Sequence, residues 1–476
     1  GLGDVYKRQS KPVDPNTPNV TPKPEDKVPN DPKGRTYKEL GLIEEVTHTV
    51  HYKLADGSDA GIPDNVQTLT FTRTADLDPV TGAISNFGTW TAKDNDTTID
   101  AVTTPNKPGY VASAAKSTER TEVKATDKDS EETIIYRKLG SYVPVIPEGV
   151  TPPADADLTP KPYEDPISED PTKPGTPTTV IPHVPGTTPK DPNGNPLKPV
   201  DPNDPSKGYV PPTPENPTED TQITYEKDTQ KAKVTYVVEG TGTVLHTDNL
   251  EGKSGEPIEY STVSKLAELK ALGYDLVSDG FTTATDKNYD KDTKVDQSFV
   301  VTVTPHVEPI KPVDPENPND PNKPKPGDPI DPKNPDGPKW TEDLIKKIDT
   351  TRHVNRTIKY VNEKGEEVAK KVTDKVTFNR EAKINSVTGE ITYGNWTAKD
   401  GDTTFDKVES PVVKGYILKD AKQKEVAATT GLTADSKDEN IEVVYTKLGS
   451  WVPKVPEGET PIDPIPYPND PKDPTK

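Results

Sequence analysis

Cysteine is absent from the 476 residues, and so is methionine. Without cysteine there can be no disulfide scaffold, no thiol nucleophile and no cysteine-based zinc site. Without methionine the chain is expected to be an internal piece of a longer protein. Apolar residues are scarce at 29% and aromatics at 6%, too little to offset the entropy of ordering one large enzyme core. No run approaches the roughly 18 consecutive apolar residues of a membrane span, and no basic start with an apolar centre marks a secretory signal. Positive charge is short as well: 59 Lys and Arg stand against 80 Asp and Glu, a net −21. Nucleic acid is therefore excluded as a partner, because phosphate binding needs a positive field. G-x-S-x-G, P-loop, H-E-x-x-H and Rossmann patterns are all missing. Carboxylates are abundant, but acid–base work needs a pair held in a rigid cleft. The expected function is non-enzymatic.

What is plentiful is proline, 55 residues placed unevenly, with 20 in residues 150–220 and 12 in 305–338. Folded modules are thus expected to alternate with proline-rich spacers. From Pro309 the prolines recur every third residue with one slip, as far as Pro338. Three residues per turn is the period of polyproline II, so this stretch is predicted to be an extended rod of roughly 90 Å at ~3.1 Å per residue. The spacer at 150–220 is less regular and predicted to be long but less stiff. A PxxP ligand for a signalling domain is the alternative use of such stretches.

Two segments repeat each other. VTHTVHY from Val46 matches VNRTIKY from Val354, WTAKDNDTT from Trp90 matches WTAKDGDTT from Trp396, and KLGSYVP from Lys138 matches KLGSWVP from Lys447. The middle segment is different, yet shares a Gly-Tyr pair (Gly109-Tyr110, Gly273-Tyr274, Gly415-Tyr416) followed some 25 residues on by a β-branched run. Those runs, TIIY ending at Tyr136, SFVVTV ending at Val303 and EVVY ending at Tyr445, read as closing strands. In the middle segment KVTYVV from Lys233, the turn EGTG and TVLH from Thr243 predict a hairpin. A helix follows from Ser261, with Val263, Leu266, Leu269 and Leu272 as its apolar stripe, Ser261 or Thr262 as cap and Gly273 as stop. A helix across a small mixed sheet is a β-grasp arrangement. The expected fold is β-rich α+β, tandem small β-grasp-like modules separated by extended proline-rich spacers. The division is a cloning or assembly scar at residues 1–9 within a proline-rich spacer at 1–34, modules at 35–149, 221–304 and 340–458, linkers at 150–220 and 305–339, and a last spacer at 459–476.

RTIKYVNEKGEEV from Arg356, VTFNR from Val376, NWTAKDGDTTFDKVESPVVKGYI from Asn395 and KLGSWVP from Lys447 resemble the mucus-binding repeats of lactobacillus surface adhesins. The outer modules resemble the B2-type half and the middle module the B1-type half, over roughly 320 residues. The resemblance implies an extracellular, cell-wall-anchored adhesin of a Gram-positive bacterium, whose partners are mucin or other host glycoproteins, with immunoglobulin as another. It carries over no binding residues. An elongated monomer is expected. Two further readings stay open: a structural stalk that projects a distal adhesive head, and an immunoglobulin-binding module that works through sheet edges.

Several residues are candidates for chemistry. Trp90 and Trp396 could stack on sugar rings or serve as the packed aromatic of a thin core. Asp94, Asp96 and Asp100, in register with Asp400, Asp402 and Asp406, offer oxygen ligands for Ca²⁺. The loops lack the EF-hand glycine and glutamate, and the alternative is an Asp/Asn/Gly turn whose side chains satisfy local amides. No other cofactor is expected. His48 and His51 suggest a metal, but residues three apart on a strand face opposite sides. Their counterparts Arg356 and Lys359 point instead to a solvated basic rim. Tyr142 and Trp451 are expected to clamp the spacers to the modules.

Overall fold

The computed structural model describes residues 10–16 and 20–476, so the scar expected at residues 1–9 lies outside the described residues. The chain divides into two compact units. One runs to Gln230 and adds Glu251–Glu256 and Asn288–Val295; the other holds Lys231–Leu250, Pro257–Lys287 and Asp296–Lys476. The fold is β-rich.

In the first repeat, strand β1 (Ile43–Leu54) buries Val46, His48, Val50 and Tyr52 on one face, as the alternation of side chains along a strand dictates. Strand β2 (Asn65–Thr72) pairs antiparallel with β1, and β3 (Thr91–Ala92) extends β2. Strand β4 (Tyr110–Ala112) lies antiparallel to β5 (Ser130–Lys138). The closing strand β5 runs parallel to β1, with His48 opposite Ser130 and Leu54 opposite Tyr136. The order is β3-β2-β1-β5-β4. Tyr136 donates to the Pro105 carbonyl at 2.6 Å, and burial, with the neighbouring Tyr52, pushes its phenol up to about 12.

Beyond this sheet, residues 141–227 depart from the expected linker. Strands β6 (Ser141–Val145), β7 (Lys161–Pro162), β8 (Thr187–Lys190) and β9 (Thr221–Lys227) make a sheet of order β7-β6-β9-β8. Tyr142, Tyr163, Ile181, Val184, Leu197, Tyr209, Ile223 and Tyr225 share one core. The apolar residues are sparse, but these converge, and prolines lie within the strands themselves, Pro144 in β6, Pro162 in β7 and Pro189 in β8. A long loose spacer is not what forms.

In the middle segment β10 (Thr229–Val238) and β11 (Val244–Lys253) are the expected hairpin, with Gly240 and Gly242 at positive φ in its turn. Helix α1 (Val263–Ala271), strand β12 (Tyr274–Asp279) and the closing strand β13 (Gln297–Pro305) follow. The order is β11-β10-β13-β12, with β13 parallel to β10. Second, first, last, next-to-last is also the order of β2-β1-β5-β4 in the first repeat. Gly273 stops α1 at φ +102, but the expected stripe fails. Of its four residues only Leu269 is buried, while Val263 and Leu272 are exposed. Strict three-residue spacing falls back about 60° per step on a 3.6-residue helix, so Val263 and Leu272 end on opposite sides. Thr262 precedes the helix without capping it; its hydroxyl bonds Asp279 at 2.5 Å.

The period-three stretch also differs from expectation. Asp314, Asn317 and Asp320 each precede a proline, and each side chain accepts from the amide two residues on, at 2.9, 3.1 and 2.9 Å. Their carbonyls accept from the amides three residues on, at 3.1, 3.1 and 3.0 Å. These are consecutive turns. Proline fixes φ for the second turn position and Asx holds the amide beyond it, whereas polyproline II has no internal hydrogen bonds. Strand β14 (Val307–Ile310) opens the stretch. After it, Ile330 and Trp340 are buried with Ile310, and helix α2 (Glu342–Lys346) follows, capped by Thr341.

In the second repeat β15 (Thr351–Asn362), β16 (Glu367–Asn379), β17 (Ala382–Asn385), β18 (Ile391–Tyr393), β19 (Thr397–Ala398), β20 (Tyr416–Leu418) and β21 (Glu439–Lys447) reproduce the first. Its main sheet has the order β19-β16-β15-β21-β20, and a small sheet β14-β17-β18 stands beside it. Between β18 and β19 the chain leaves the strand at Gly394, Asn395 and Trp396. Tyr445 donates to the Pro411 carbonyl at 2.6 Å, as Tyr136 does to Pro105. Ser450–Trp451 (β22), at the end of the expected module, pairs antiparallel with Ile465–Pro466 (β23) in the expected last spacer.

Candidate functional site

The side chains most clearly built twice surround the two repeat tryptophans. The Arg73 guanidinium lies 3.9 Å from the Phe87 ring centre and 4.4 Å from that of Trp90. In the second repeat Arg380 lies 3.8 Å from Tyr393 and 4.3 Å from Trp396, and Arg352 adds a further contact to Trp396 at 4.8 Å. Each central arginine leaves the end of its strand and is held from below. Arg73 donates to the Gly41 carbonyl at 2.6 Å, and Arg380 to the Asp349 carbonyl at 2.7 Å and the Asp349 carboxylate at 3.3 Å. Both tryptophans also pack on buried cores: Trp90 on Val46, Leu69, Phe71 and Ile99, and Trp396 on Val354, Val376, Phe378 and Phe405. They serve the core and carry a guanidinium, leaving only part of each ring to solvent. Phe87, at 44% exposed, is the more open ring of its pair. The arginine positions were not singled out in the sequence, although Arg73 and Arg380 occupy the same place in both copies.

Next to the tryptophans, the two acidic loops are tight turns. Asp94 and Asp400 adopt left-handed φ of +60° and +57°. Asp96 and Asp402 cap the amides of Thr98 and Thr404, each at 3.1 Å. The Asp100 amide donates to Gln67 and the Asp406 carbonyl accepts from Arg356. Neither loop is among the described groups whose His, Asp or Glu ligand atoms lie within 4.8 Å of one another.

Two other groups do converge in this way. His306 approaches Asp275 at 2.6 Å through Nδ1, and Glu308 at 2.6 Å and Asp331 at 3.4 Å through Nε2. His353 approaches Asp314 at 2.7 Å and Glu316 at 3.8 Å through Nε2, while its Nδ1 meets Thr377 at 2.9 Å. The donor sets suit a divalent cation, but each histidine already bridges carboxylates of the turn-rich stretch to a strand. Burial alone pulls the His306 imidazole down; its hydrogen bonds to Glu308 and Asp275 outweigh this and hold its pKa above the ordinary value.

The expected basic rim at His48 is not solvated. His48 is 4% exposed, facing Ser130 at 2.7 Å and Glu132 at 3.3 Å. Its counterpart Arg356 is 1% exposed and donates to the carbonyls of Ala427 and Asp406 beside the Phe405 ring. Alternation puts both on the core face between valine and isoleucine or valine neighbours, so the side chain must find buried acceptors. His51, on the other face, meets Asp64 at 2.9 Å. Tyr142 does clamp the following segment, stacked edge-on against Tyr163 at 4.8 Å. Trp451 meets Tyr467 at 4.9 Å.

With these sites in place, the chain can be set beside known proteins. A Muc B2-like domain matches residues 39–140 and again 345–449. A mucin binding domain matches residues 230–304. Among solved structures it is similar to Mub-RV, at 28% identity and TM-score 0.34 over 46% of this chain and 98% of that one. It is similar to the type 2 repeat of the mucus binding protein MUB from Lactobacillus reuteri, at 25% identity and TM-score 0.29 over 46% of this chain and 99% of that one. The MucBP domain of the adhesion protein from Pediococcus pentosaceus matches at 36% identity and TM-score 0.17 over 20% of this chain and 97% of that one. No curated protein matches. Among the described residues no helix is long and apolar enough to cross a membrane. With two Muc B2-like domains flanking a mucin binding domain, together more than half of its length, the chain belongs to the mucus-binding repeat proteins.

Proposed function

We propose that this chain is a non-enzymatic part of a Gram-positive, wall-attached surface adhesin that holds mucin-type glycoproteins through many weak contacts. Three modules, at 35–149, 221–304 and 340–458, would carry the binding, each a variant of the β-grasp arrangement. The shared order of second, first, last and next-to-last strand supports that common form. The observation that carries the proposal is the arginine–aromatic sandwich built at matching positions in both Muc B2-like domains. It fixes the rims of Phe87 with Trp90, and of Tyr393 with Trp396, beside exposed aspartates that can accept hydrogen bonds from sugar hydroxyls. Net charge −21 gives no long-range attraction to sialate or sulfate, and beyond ~8 Å the field is screened at physiological ionic strength. Short-range stacking and hydrogen bonding must therefore do the holding. Linked modules can multiply weak affinities by ~10²–10⁴ where both reach the ligand.

The test is surface plasmon resonance of the full chain on immobilised mucin, wild type against Phe87→Ala, Tyr393→Ala and the double variant, with circular dichroism to establish folding. Each single change should weaken binding modestly, and the double change by about tenfold or more. A folded double variant that binds like wild type would move the contact elsewhere.

A further inference from the structure

The segment after the closing strand is duplicated in detail, but only one copy is covered. In the first repeat Ser141 and Tyr142 pair with Pro162 and Lys161; in the second, Ser450 and Trp451 pair with Pro466 and Ile465. Tyr163 donates its amide to the Gly140 carbonyl at 3.0 Å, and Tyr467 to Gly449 at 2.9 Å. The Asp165 side chain accepts from the Gly109 amide at 2.6 Å, and Asn469 from Gly415 at 2.8 Å. Ala112 donates to the Pro171 carbonyl at 2.9 Å, and Leu418 to Pro474 at 3.0 Å. The correspondence runs on through Asp-Pro-Thr-Lys, ending at Lys173 and at Lys476.

What differs is the covering. In the first repeat β9 lies parallel on the free side of β6, with Thr221 opposite Tyr142 and Ile223 opposite Pro144. The Gly140 amide donates to Pro217 at 3.0 Å and the Ser141 amide to Asp220 at 2.8 Å. Tyr142 donates its hydroxyl to the Pro212 carbonyl at 2.9 Å. Gly140 is glycine because the Glu219 carbonyl oxygen passes 2.3 Å from where a Cβ would stand. Tyr142 and Tyr163 are consequently 2% and 3% exposed, while their counterparts Trp451 and Tyr467 are 55% and 39% exposed, with Val452 beside them at 65%. Gly449 keeps the same bare backbone, approached only by the Tyr467 ring. The β22–β23 pair is a two-stranded sheet whose second edge is open, a ready template for a strand.

We propose that the Trp451–Tyr467 face is a docking surface, and that its occupant is a polypeptide segment of the same kind as residues 174–227. Such a segment adds a parallel strand of TQITYEK type to the free side of β22. It passes a carbonyl over Gly449, gives acceptors to the Gly449 and Ser450 amides, and sets an apolar pair equivalent to Ile223 and Tyr225 against Trp451. The surface thus accepts a proline-rich, strand-bearing segment of this chain's own type rather than a glycan.

The test extends the full chain directly after Lys476 with a second copy of residues 174–227. The control carries the same extension with Ile223→Asp and Tyr225→Asp in the added copy. Amide hydrogen exchange at Gly449 and Ser450 should slow by about tenfold or more in the extended chain, and the emission of Trp451, isolated by difference from a Trp451→Phe variant, should shift to the blue. The control extension should do neither. As a second measurement, residues 174–227 added as a separate peptide to the unextended chain should shift Trp451 emission saturably. Unchanged exchange and emission in both formats would overturn the proposal. So would equal protection by the control extension, or burial of Trp451 by concentration-dependent self-association of the unextended chain.

Discussion

Replacing Arg380 is the sharpest way to ask whether the aromatic sandwich is held by its guanidinium. Arg380→Ala removes two ring contacts, at 3.8 and 4.3 Å, of about 1 kcal/mol each at a partly buried site. It also removes the bond to the Asp349 carbonyl, about 1 kcal/mol, and a partly exposed ion pair of about 0–1 kcal/mol. The loss should be about 3 kcal/mol. Arg380→Lys keeps the charge but not the planar fork that stacks and donates at once, so about half of that loss should remain. For a folded unit of this size each kcal/mol moves Tm by roughly 2–4 °C. The alanine variant should therefore melt roughly 6–12 °C lower and the lysine variant roughly 3–6 °C lower. Thermal unfolding followed by near-ultraviolet circular dichroism reads both, and Trp396 reports the site directly. A lysine variant that melts with wild type would refute the stacking role, and an alanine variant that does so would refute the sandwich altogether.

Other perturbations test neighbouring parts of the structure. Arg356→Met leaves the carbonyls of Ala427 and Asp406 without their buried donor and should cost about 2–4 kcal/mol in urea unfolding; a solvated guanidinium would cost almost nothing. The folded-state pKa of His306 is raised, so its stabilising effect is fully present below the ordinary 6.5 and fades as pH rises through the raised value. Wild type should therefore exceed His306→Gln in melting temperature below pH 6.5, with the difference closing only as pH climbs through the raised value, and a pH-independent difference would contradict the ion cluster. Asp320→Ala removes the acceptor for the amides of Asn322 and Asp314 and should raise their hydrogen exchange by about tenfold. Fast exchange at both amides already in wild type would mean an extended rod after all.

Much of the strand pattern could be read from the residues. Val46, Val50 and Tyr52 alternate, and the β-branched runs ending at Tyr136, Val303 and Tyr445 are the strands that run parallel to the first strand of their sheets. The Gly-Tyr glycines take the left-handed turn before an edge strand in all three places, at φ +83, +102 and +80. Period three alone does not separate the two structures, because it is common to polyproline II and to a chain of Asx-Pro turns. The distinction lies in the residue before each proline: Asp314, Asn317 and Asp320 bring their own acceptors. Sparse apolar residues such as Ile181, Leu197, Ile330 and Trp340 show no local period, since they meet only through tertiary contact. His48 and Arg356 looked like a rim because a basic side chain was expected outside, although strand alternation had already placed them inward. The sandwich leaves no local sign for a related reason: Arg73 shares no helix or strand period with Phe87 and Trp90, and only the fold stacks them.

The claim that these repeats hold mucin through its sugars is tested most directly by surface plasmon resonance of the full chain on native and deglycosylated mucin, run side by side. Saturable binding to native mucin that is lost on deglycosylation is the expected result. Equal binding to both surfaces, or none to either with the chain arrayed at high density, would contradict it.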